Sequence, residues 1–192
     1  MFLLRRAKNI LDIDSLTSLY FSTFHSHLIY GILIYSSAVP SALSSLIIKQ
    51  KMAIRCISNS KYNAHTAPIF KKLNILPLDM LIKYFQLQFM HDHKFSHLPR
   101  SFNNVWRTVA ESNVLYPIRN NQDYRIVRAR ICLTERLPIC RFPKIWNEYP
   151  SDVLKNIFSR NAFKIKLRKE LLDSINIVCT RLLCPTCQDL RL

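Results

Sequence analysis

The sequence predicts a mainly α-helical protein, and three observations favour that class. Hydrophobic residues make up 49% of the 192-residue chain, enough to bury a core. Apolar residues recur at helical spacing along most of its length. The chain has a single glycine, Gly31, so it lacks hairpin turns of the Asn-Gly type. Phosphate-binding loops, dinucleotide fingerprints and nucleophile elbows also need glycine, and most enzyme classes that depend on them are therefore excluded.

The first predicted helix lies in a stretch without charged side chains, from Ser15 to Ile48. Asp14 and Ser15 are good N-caps and predict a helix over residues 15–37. Residues 16–39 are also apolar enough to be kept as an alternative membrane anchor with basic flanks. Their many hydroxyls favour a helix that bonds to its own carbonyls one turn earlier. Without an anchor or a secretory signal, we expect an intracellular protein, nuclear or cytoplasmic, with its six cysteines reduced.

Three further long helices and a short one follow from the apolar periodicity. Pro40 begins the second helix, whose apolar stripe is Leu43, Leu46, Ile47, Ile54 and Ile57. A short helix is predicted over residues 67–73. The next long helix, over residues 78–95, is expected to bury Leu78, Ile82, Phe85 and Phe89. The last, over residues 159–173, is expected to bury Phe163, Leu167 and Leu171.

The helical period disappears between residues 116 and 150. β-Branched residues alternate with basic ones over residues 125–131, and four prolines follow one another at positions 117, 138, 143 and 150. This pattern predicts extended chain with two short strands. The sequence thus divides into an N-terminal lead (residues 1–14), two helical regions (15–60 and 61–115), a basic extended segment (116–150), a C-terminal helix (151–175) and a cysteine-containing tail (176–192).

Positive charge dominates the composition, with 28 Lys and Arg against 12 Asp and Glu and a formal net charge of +16. Such charge attracts polyanions at long range, so RNA or DNA is the first expected partner and an anionic membrane surface the second. Arginine binds phosphates bidentately, and alternation along a strand places Arg128 and Arg130 on one face. The candidate nucleic-acid-binding residues are Lys51, Arg55, Arg119, Arg125, Arg128, Arg130, Arg136, Arg141, Lys144, Arg160, Lys164 and Arg168.

Aromatic side chains accompany this charge. Tyr124, Phe142 and Trp146 lie in or beside the basic extended segment. Aromatic rings stack on unpaired bases in many single-strand binders, so these three are candidate stacking residues. Large aromatics more often pack in a core, and for Trp146 the core is the favoured interpretation.

The cysteines near the C-terminus are weak candidates for a zinc site. Cys179, Cys184 and Cys187 have ligand-like spacing, but a structural zinc site needs four ligands. The fourth would come from Cys132, Cys140, His91, His93 or His97. Reduced thiols are the simpler interpretation, so no metal or other cofactor is predicted for the chain. His91 and His93 are two residues apart and face different sides of a helix, which argues against a metal pair there.

A family resemblance rests on short motifs that occur in order between residues 15 and 172. They are LIYGI at residues 28–32, QKMAIRCI at 50–57, PIFKKLNILPL at 68–78, LPRSF at 98–102, Tyr116 with Arg119, and WNEYP at 146–150. A Phe163-Lys164 pair and a basic helix follow. Together these motifs resemble the C-terminal end of the reverse transcriptase encoded by jockey-like non-LTR (LINE) retrotransposons.

The resemblance implies a location within such a polymerase. Residues 15–60 would belong to the helical thumb beside the template–primer duplex, and residues 67–172 to the extension beyond it. The expected architecture is a thumb-like helical bundle, an irregular segment with short strands, and a C-terminal helix.

The resemblance also bears on activity. Nucleotidyl transfer requires carboxylates that hold two Mg²⁺ ions, and in this family an Asp-Asp motif in the palm supplies them. The chain has no Asp-Asp pair. It therefore resembles a truncated fragment of an RNA-directed DNA polymerase that has a basic binding surface but no catalytic residue, and we expect it to be inactive as an enzyme. Two alternatives stay open, a small membrane-associated protein anchored by residues 16–39 and a translated relic of a transposable element without function.

Overall fold

A computed structural model describes residues 2–112 and 122–175 of the chain. The prediction of a mainly α-helical protein is confirmed in these ranges. The described residues contain no β-strand, and the two short strands are replaced by an isolated antiparallel bridge between Thr108 and Tyr124. The chain divides into two compact units. The first comprises residues 1–81 and 169–192, and the second comprises residues 82–168.

The helices are numbered in chain order. A π-helical turn, Tyr20–His25, joins α2 to α3, and short 3₁₀ turns occur at Arg100–Phe102 and Ala110–Ser112. The predicted helices that start near residues 40, 67, 78 and 159 are present, as α5, α6, α7 and α11. The bounds are α1 Phe2–Ala7, α2 Ile13–Leu19, α3 Ser26–Ile29, α4 Ile32–Tyr35, α5 Pro40–Ile57, α6 Ala67–Lys72, α7 Leu78–Lys94, α8 Cys132–Arg136, α9 Pro138–Glu148, α10 Asp152–Lys155 and α11 Arg160–Asp173.

The single helix predicted over residues 15–37 is wrong, because the chain breaks at Gly31. Helical backbone ends where Tyr30 becomes extended, with ψ at 117°, and Gly31 is left-handed, with φ at 64°. A left-handed residue ends an α-helix, and glycine adopts that conformation without a Cβ penalty. The helical stretch also begins earlier than predicted, with Asp12 at its N-cap. A hydrogen bond from the Ser15 side chain lowers the pKa of Asp12.

Hydroxyl side chains in this stretch bond to its own backbone, as predicted. Thr17, Ser18 and Thr23 each donate to the carbonyl four residues earlier, at 2.8, 3.0 and 2.6 Å. Such bonds satisfy the hydroxyls within the helix itself. Among the described residues, no helix is long and apolar enough to cross a bilayer. The break at Gly31 divides residues 16–39, the alternative anchor.

Gln50 is a buried polar residue in the largely apolar core of the first unit, and its hydrogen bonds join three segments. Its Nε2 donates to the Tyr20 hydroxyl at 3.1 Å and to the Leu76 carbonyl at 3.0 Å. Its Oε1 accepts from the backbone N–H of Leu78 at 2.8 Å. Leu78 is the first residue of α7, so Gln50 caps the N-terminus of that helix. Burial raises the pKa of Tyr20 to about 12, so its hydroxyl stays protonated at neutral pH.

The second unit contains an aromatic cluster that packs α7 against α9. Phe89 meets Phe102, Trp106 and Phe142 edge-on, with ring centroids 5.6 to 5.8 Å apart. Trp106 also stacks on Phe142 at 6.2 Å. Edge-to-face and offset-stacked pairs at these distances are favourable beyond their buried area. The cluster therefore fixes the position of α9, which carries part of the site described below.

The extended chain predicted over residues 116–150 is wrong in its C-terminal half, where α8 and α9 form. Pro138 is the first residue of α9, where a missing N–H breaks no helical bond. Pro143 lies inside α9 and leaves the carbonyl of Ile139 without its usual donor. The indole N–H of Trp106 donates to that carbonyl at 3.2 Å, which satisfies it and allows the helix to continue.

We expect Gln50→Leu to lower the free energy of unfolding by about 2–4 kcal/mol, because it leaves the buried Leu78 N–H and Leu76 carbonyl without partners. Urea unfolding followed by circular dichroism measures this change. Lys49→Gln, at an exposed position of the same helix, is the matched control and should change stability by less than about 0.5 kcal/mol. Equal effects of the two substitutions would contradict the role of Gln50.

Candidate nucleic-acid interface

The arginine-rich segment of residues 125–130 is extended and exposed. Arg125, Arg128 and Arg130 all have exposed side chains. The segment is attached at its start, where the Arg125 N–H donates to the Arg107 carbonyl at 2.9 Å. Beyond that bond, the backbone of residues 126–130 makes no hydrogen bond to any described residue. Within the part of the chain that the structure describes, both its charged side chains and its backbone are therefore open to a partner.

Asn147 of α9 fixes the start of this segment through two hydrogen bonds to one residue. Its Oδ1 accepts from the backbone N–H of Tyr124 at 3.0 Å, and its Nδ2 donates to the Tyr124 carbonyl at 2.8 Å. An amide side chain that bonds to both backbone groups of a residue mimics a neighbouring strand. The segment is therefore held against α9 at Tyr124, immediately before its arginines.

The side chain of Tyr124 adds a third attachment. It is 4% exposed, and its hydroxyl lies 2.9 Å from Nδ1 of His93 on α7. The other ring nitrogen, Nε2, faces the Phe102 carbonyl at 3.2 Å and so carries the proton. Burial lowers the pKa of His93 and raises that of Tyr124. Both groups are therefore neutral, and the hydroxyl donates to Nδ1.

Four predicted cations meet in one groove, called the cationic groove below. Its volume is about 550 Å³, and residues 126–129, α8 and α9 line it. Two carboxylates, Glu135 and Glu148, also line it, so positive charge is in excess. The Nε of Arg136 donates to the Cys132 carbonyl at 3.2 Å, which orients its guanidinium. The four cations are Arg128, Arg136, Arg141 and Lys144.

A second groove, of about 810 Å³, shares Arg128 with the first. Arg107 and Arg125 line it as well, together with the carboxylate of Glu111. Glu111 accepts from the Thr108 N–H at 2.9 Å, so part of its acceptor capacity is used within the loop. Positive charge thus continues from one groove to the other through Arg128. Arg107 was missed in the sequence, where it stands apart from the basic segment.

Other predicted contacts lie elsewhere. Arg160 bonds to Asp92 at 2.8 Å, and Arg55 donates to the Ala64 carbonyl at 2.9 Å, so both have partners within the protein. Lys51 is exposed but belongs to the first unit. Arg130 lines neither groove, and Lys164 and Arg168 lie on α11. Arg119 and the three tail cysteines, Cys179, Cys184 and Cys187, fall outside the described residues.

The aromatic candidates are core residues. Tyr124, Phe142 and Trp146 are 4%, 2% and 3% exposed. The core interpretation of Trp146 is therefore confirmed, and base stacking by Tyr124 and Phe142 is wrong. Their rings are buried because α7 and α9 pack together through them. The residues that line the cationic groove offer charge and aliphatic surface but no aromatic ring.

We expect Asn147→Ala to release the arginine-rich segment, because the Tyr124 N–H and carbonyl lose their partners. Two hydrogen bonds of this kind contribute about 1–3 kcal/mol, so trypsin should cleave after Arg125, Arg128 and Arg130 about ten times faster or more. Limited proteolysis followed by mass spectrometry measures the rates. The control is Asn103→Ala, which removes an exposed amide that makes no hydrogen bond to any residue in the described ranges. Unchanged cleavage in Asn147→Ala would contradict the attachment.

Comparison with known proteins gives no relative of this chain. No protein-family model, no curated protein and no solved structure matches it. The retrotransposon resemblance therefore rests on the short sequence motifs alone. Charge, burial and hydrogen bonding of the described residues are what remain to indicate a function.

Proposed function

We propose that this chain binds RNA or DNA through the cationic groove and catalyses no reaction on it. The observation that carries the proposal is the convergence of Arg128, Arg136, Arg141 and Lys144 on one groove. These cations come from an extended segment and two helices, so the fold brings them together. Oppositely charged polymers gain affinity from such an arrangement by releasing counterions.

The shape and chemistry of the site favour a polymer over a small anion. Arg128 belongs to two grooves, so the cations form a path with room for several phosphates. The backbone groups of residues 126–130, which have no hydrogen-bond partner among the described residues, add donors and acceptors along it. Phosphate contacts position a nucleic acid without reading its sequence. Because no aromatic ring among the described residues lines the cationic groove, we expect binding that depends strongly on salt and weakly on sequence.

We further propose that the chain descends from the C-terminal end of a non-LTR retrotransposon reverse transcriptase. The order of its motifs and the helices of residues 15–60 support this origin. In such a fragment the groove would contact the template or the primer. The catalytic Mg²⁺ would be held by the palm of such a polymerase, since these 192 residues contain no Asp-Asp pair.

We expect the triple variant Arg128→Gln, Arg136→Gln, Lys144→Gln to bind single-stranded RNA roughly 100-fold more weakly at about 0.1 M salt. Each phosphate contact contributes about 0.7 to the slope of log K against log salt for a single strand, so the slope should fall by about 2. Fluorescence anisotropy with a labelled single-stranded RNA, repeated with the equivalent DNA and over a salt series, measures both quantities.

The matched control removes the same charge elsewhere. Lys61→Gln, Lys71→Gln, Lys72→Gln changes three exposed lysines of the first unit. It should alter the salt slope much less than the groove triple does. Equal losses in the two triples would mean that net charge alone attracts the RNA and would contradict a groove. Binding to phosphatidylserine vesicles without binding to either nucleic acid would instead favour the membrane-surface interpretation.

A further inference from the structure

Three potential metal ligands meet at the C-terminal end of α7, apart from the residues that line the cationic groove. Nδ1 of His91 lies 3.8 Å from Oδ1 of Asp92, and Nδ1 of His97 lies 3.7 Å from the same oxygen. One potential ligand atom from each of the three residues lies within 4.8 Å of those of the other two. His91 and Asp92 are buried, while the side chain of His97 is 34% exposed. The cluster is thus closed on one side and reachable from solvent on the other.

The end of α7 explains why the sequence does not show this cluster. Ser96 adopts a left-handed conformation, with φ at 56°, and turns the chain back on the helix. The backbone N–H of His97 then donates to the Asp92 carbonyl at 2.7 Å. This C-terminal turn brings His97 next to residues five and six positions earlier. His93 is not part of the cluster, because both of its ring nitrogens bond elsewhere.

Two acceptors in the cluster face each other without a donor. Nε2 of His91 lies 2.7 Å from the Ile157 carbonyl, and because a carbonyl only accepts, Nε2 carries the proton. In the neutral ring Nδ1 then has a free lone pair. Neither this atom nor Oδ1 of Asp92 has a hydrogen-bond partner among the described residues, and both are buried. Such an arrangement is unfavourable unless a cation or a proton lies between the two atoms.

We propose that His91, Asp92 and His97 bind one divalent transition-metal ion and that Zn²⁺ suits the site. Two imidazole nitrogens and a carboxylate oxygen are common zinc ligands, at about 2.0–2.2 Å from the metal. Tetrahedral geometry at those bond lengths separates ligand atoms by about 3.3–3.5 Å. The two measured separations, 3.7 and 3.8 Å, need to close by less than about 0.5 Å. Water would complete the coordination.

The surroundings orient the ligands as metal sites require. The Ile157 carbonyl fixes the tautomer of His91, and the ring stacks on Phe163 with centroids 4.1 Å apart. The guanidinium of Arg160 bonds to Oδ2 of Asp92 at 2.8 Å, which directs Oδ1 toward the histidines. Outer hydrogen bonds of this kind are typical of ligating histidines and carboxylates. The positive charge of Arg160 offsets the negative charge of the Asp92 carboxylate, so we expect moderate affinity for the metal ion.

The test measures Zn²⁺ bound to the full-length, chelator-treated chain by native mass spectrometry and calorimetry, with Co²⁺ absorption as the spectroscopic signature. To exclude the tail, all variants carry Cys179→Ser, Cys184→Ser and Cys187→Ser. In that background we expect one Zn²⁺ per chain and a rise in Tm with Zn²⁺, because binding to the folded state stabilises it. His97→Ala should lose both, while His27→Ala, an exposed histidine of the first unit, should keep both.

Several outcomes would overturn the site. These are the loss of all Zn²⁺ in the serine background, undiminished binding in His97→Ala, and a Co²⁺ spectrum without nitrogen ligation. His97→Gln serves as a second variant should His97→Ala fail to fold, and it should likewise bind no Zn²⁺. None of these results depends on nucleic-acid binding, so the metal site and the cationic groove are tested separately.

Discussion

The paired hydrogen bonds between Asn147 and the backbone of Tyr124 are the constraint on which the rest of the site depends. The arginine-rich segment buries too little apolar surface to hold itself in place, since its Ile126 and Val127 are 45% and 49% exposed. Asn147 attaches Tyr124, the residue before this segment, to α9, and the buried side chain of Tyr124 attaches the same residue to α7 through His93. The following residues are then carried past α8 and α9, where Arg128 joins the helical cations. The groove is a consequence of that attachment.

Elsewhere in the described residues, other side chains also satisfy backbone groups that a helix leaves without partners. Gln50 caps α7, and Trp106 satisfies the carbonyl that Pro143 leaves free in α9. With a single glycine, the chain also relies on other residues for left-handed turns. Those residues are Asn59, Asn74 and Ser96, at or just beyond the ends of α5, α6 and α7. Asparagine tolerates the left-handed conformation better than most residues. The turn at Ser96 also places His97 beside Asp92.

The sequence was sufficient to predict helices with a strong apolar period. It was insufficient where contacts between distant segments determine the local structure. The stripe of α11 could be predicted, because Phe163, Leu167 and Leu171 are all buried at the helical period. The stripe of α7 was predicted only in part: Leu78 and Ile82 are buried, whereas Phe85 and Phe89 are half-buried and Leu81, Leu87 and Met90 are buried in their place. Helix α9 could not, since Pro143 is tolerated only because Trp106 reaches Ile139 from another segment. The densest charge in the sequence coincides with the region of the groove, whereas strand alternation paired Arg128 with Arg130, which lines neither groove. The ion pair between Arg160 and Asp92 could not be predicted either, because the two residues lie 68 positions apart in the chain.

Hydrogen–deuterium exchange with and without a saturating single-stranded RNA tests the central claim most directly, because the amides of residues 126–130 have no partner among the described residues. In the free protein these amides should exchange at nearly the rate of an unstructured peptide. Bound RNA should slow exchange over residues 126–144 and leave residues 61–72 of the first unit unchanged. Protection spread evenly over both units, or confined to the first, would contradict a groove organised by Asn147.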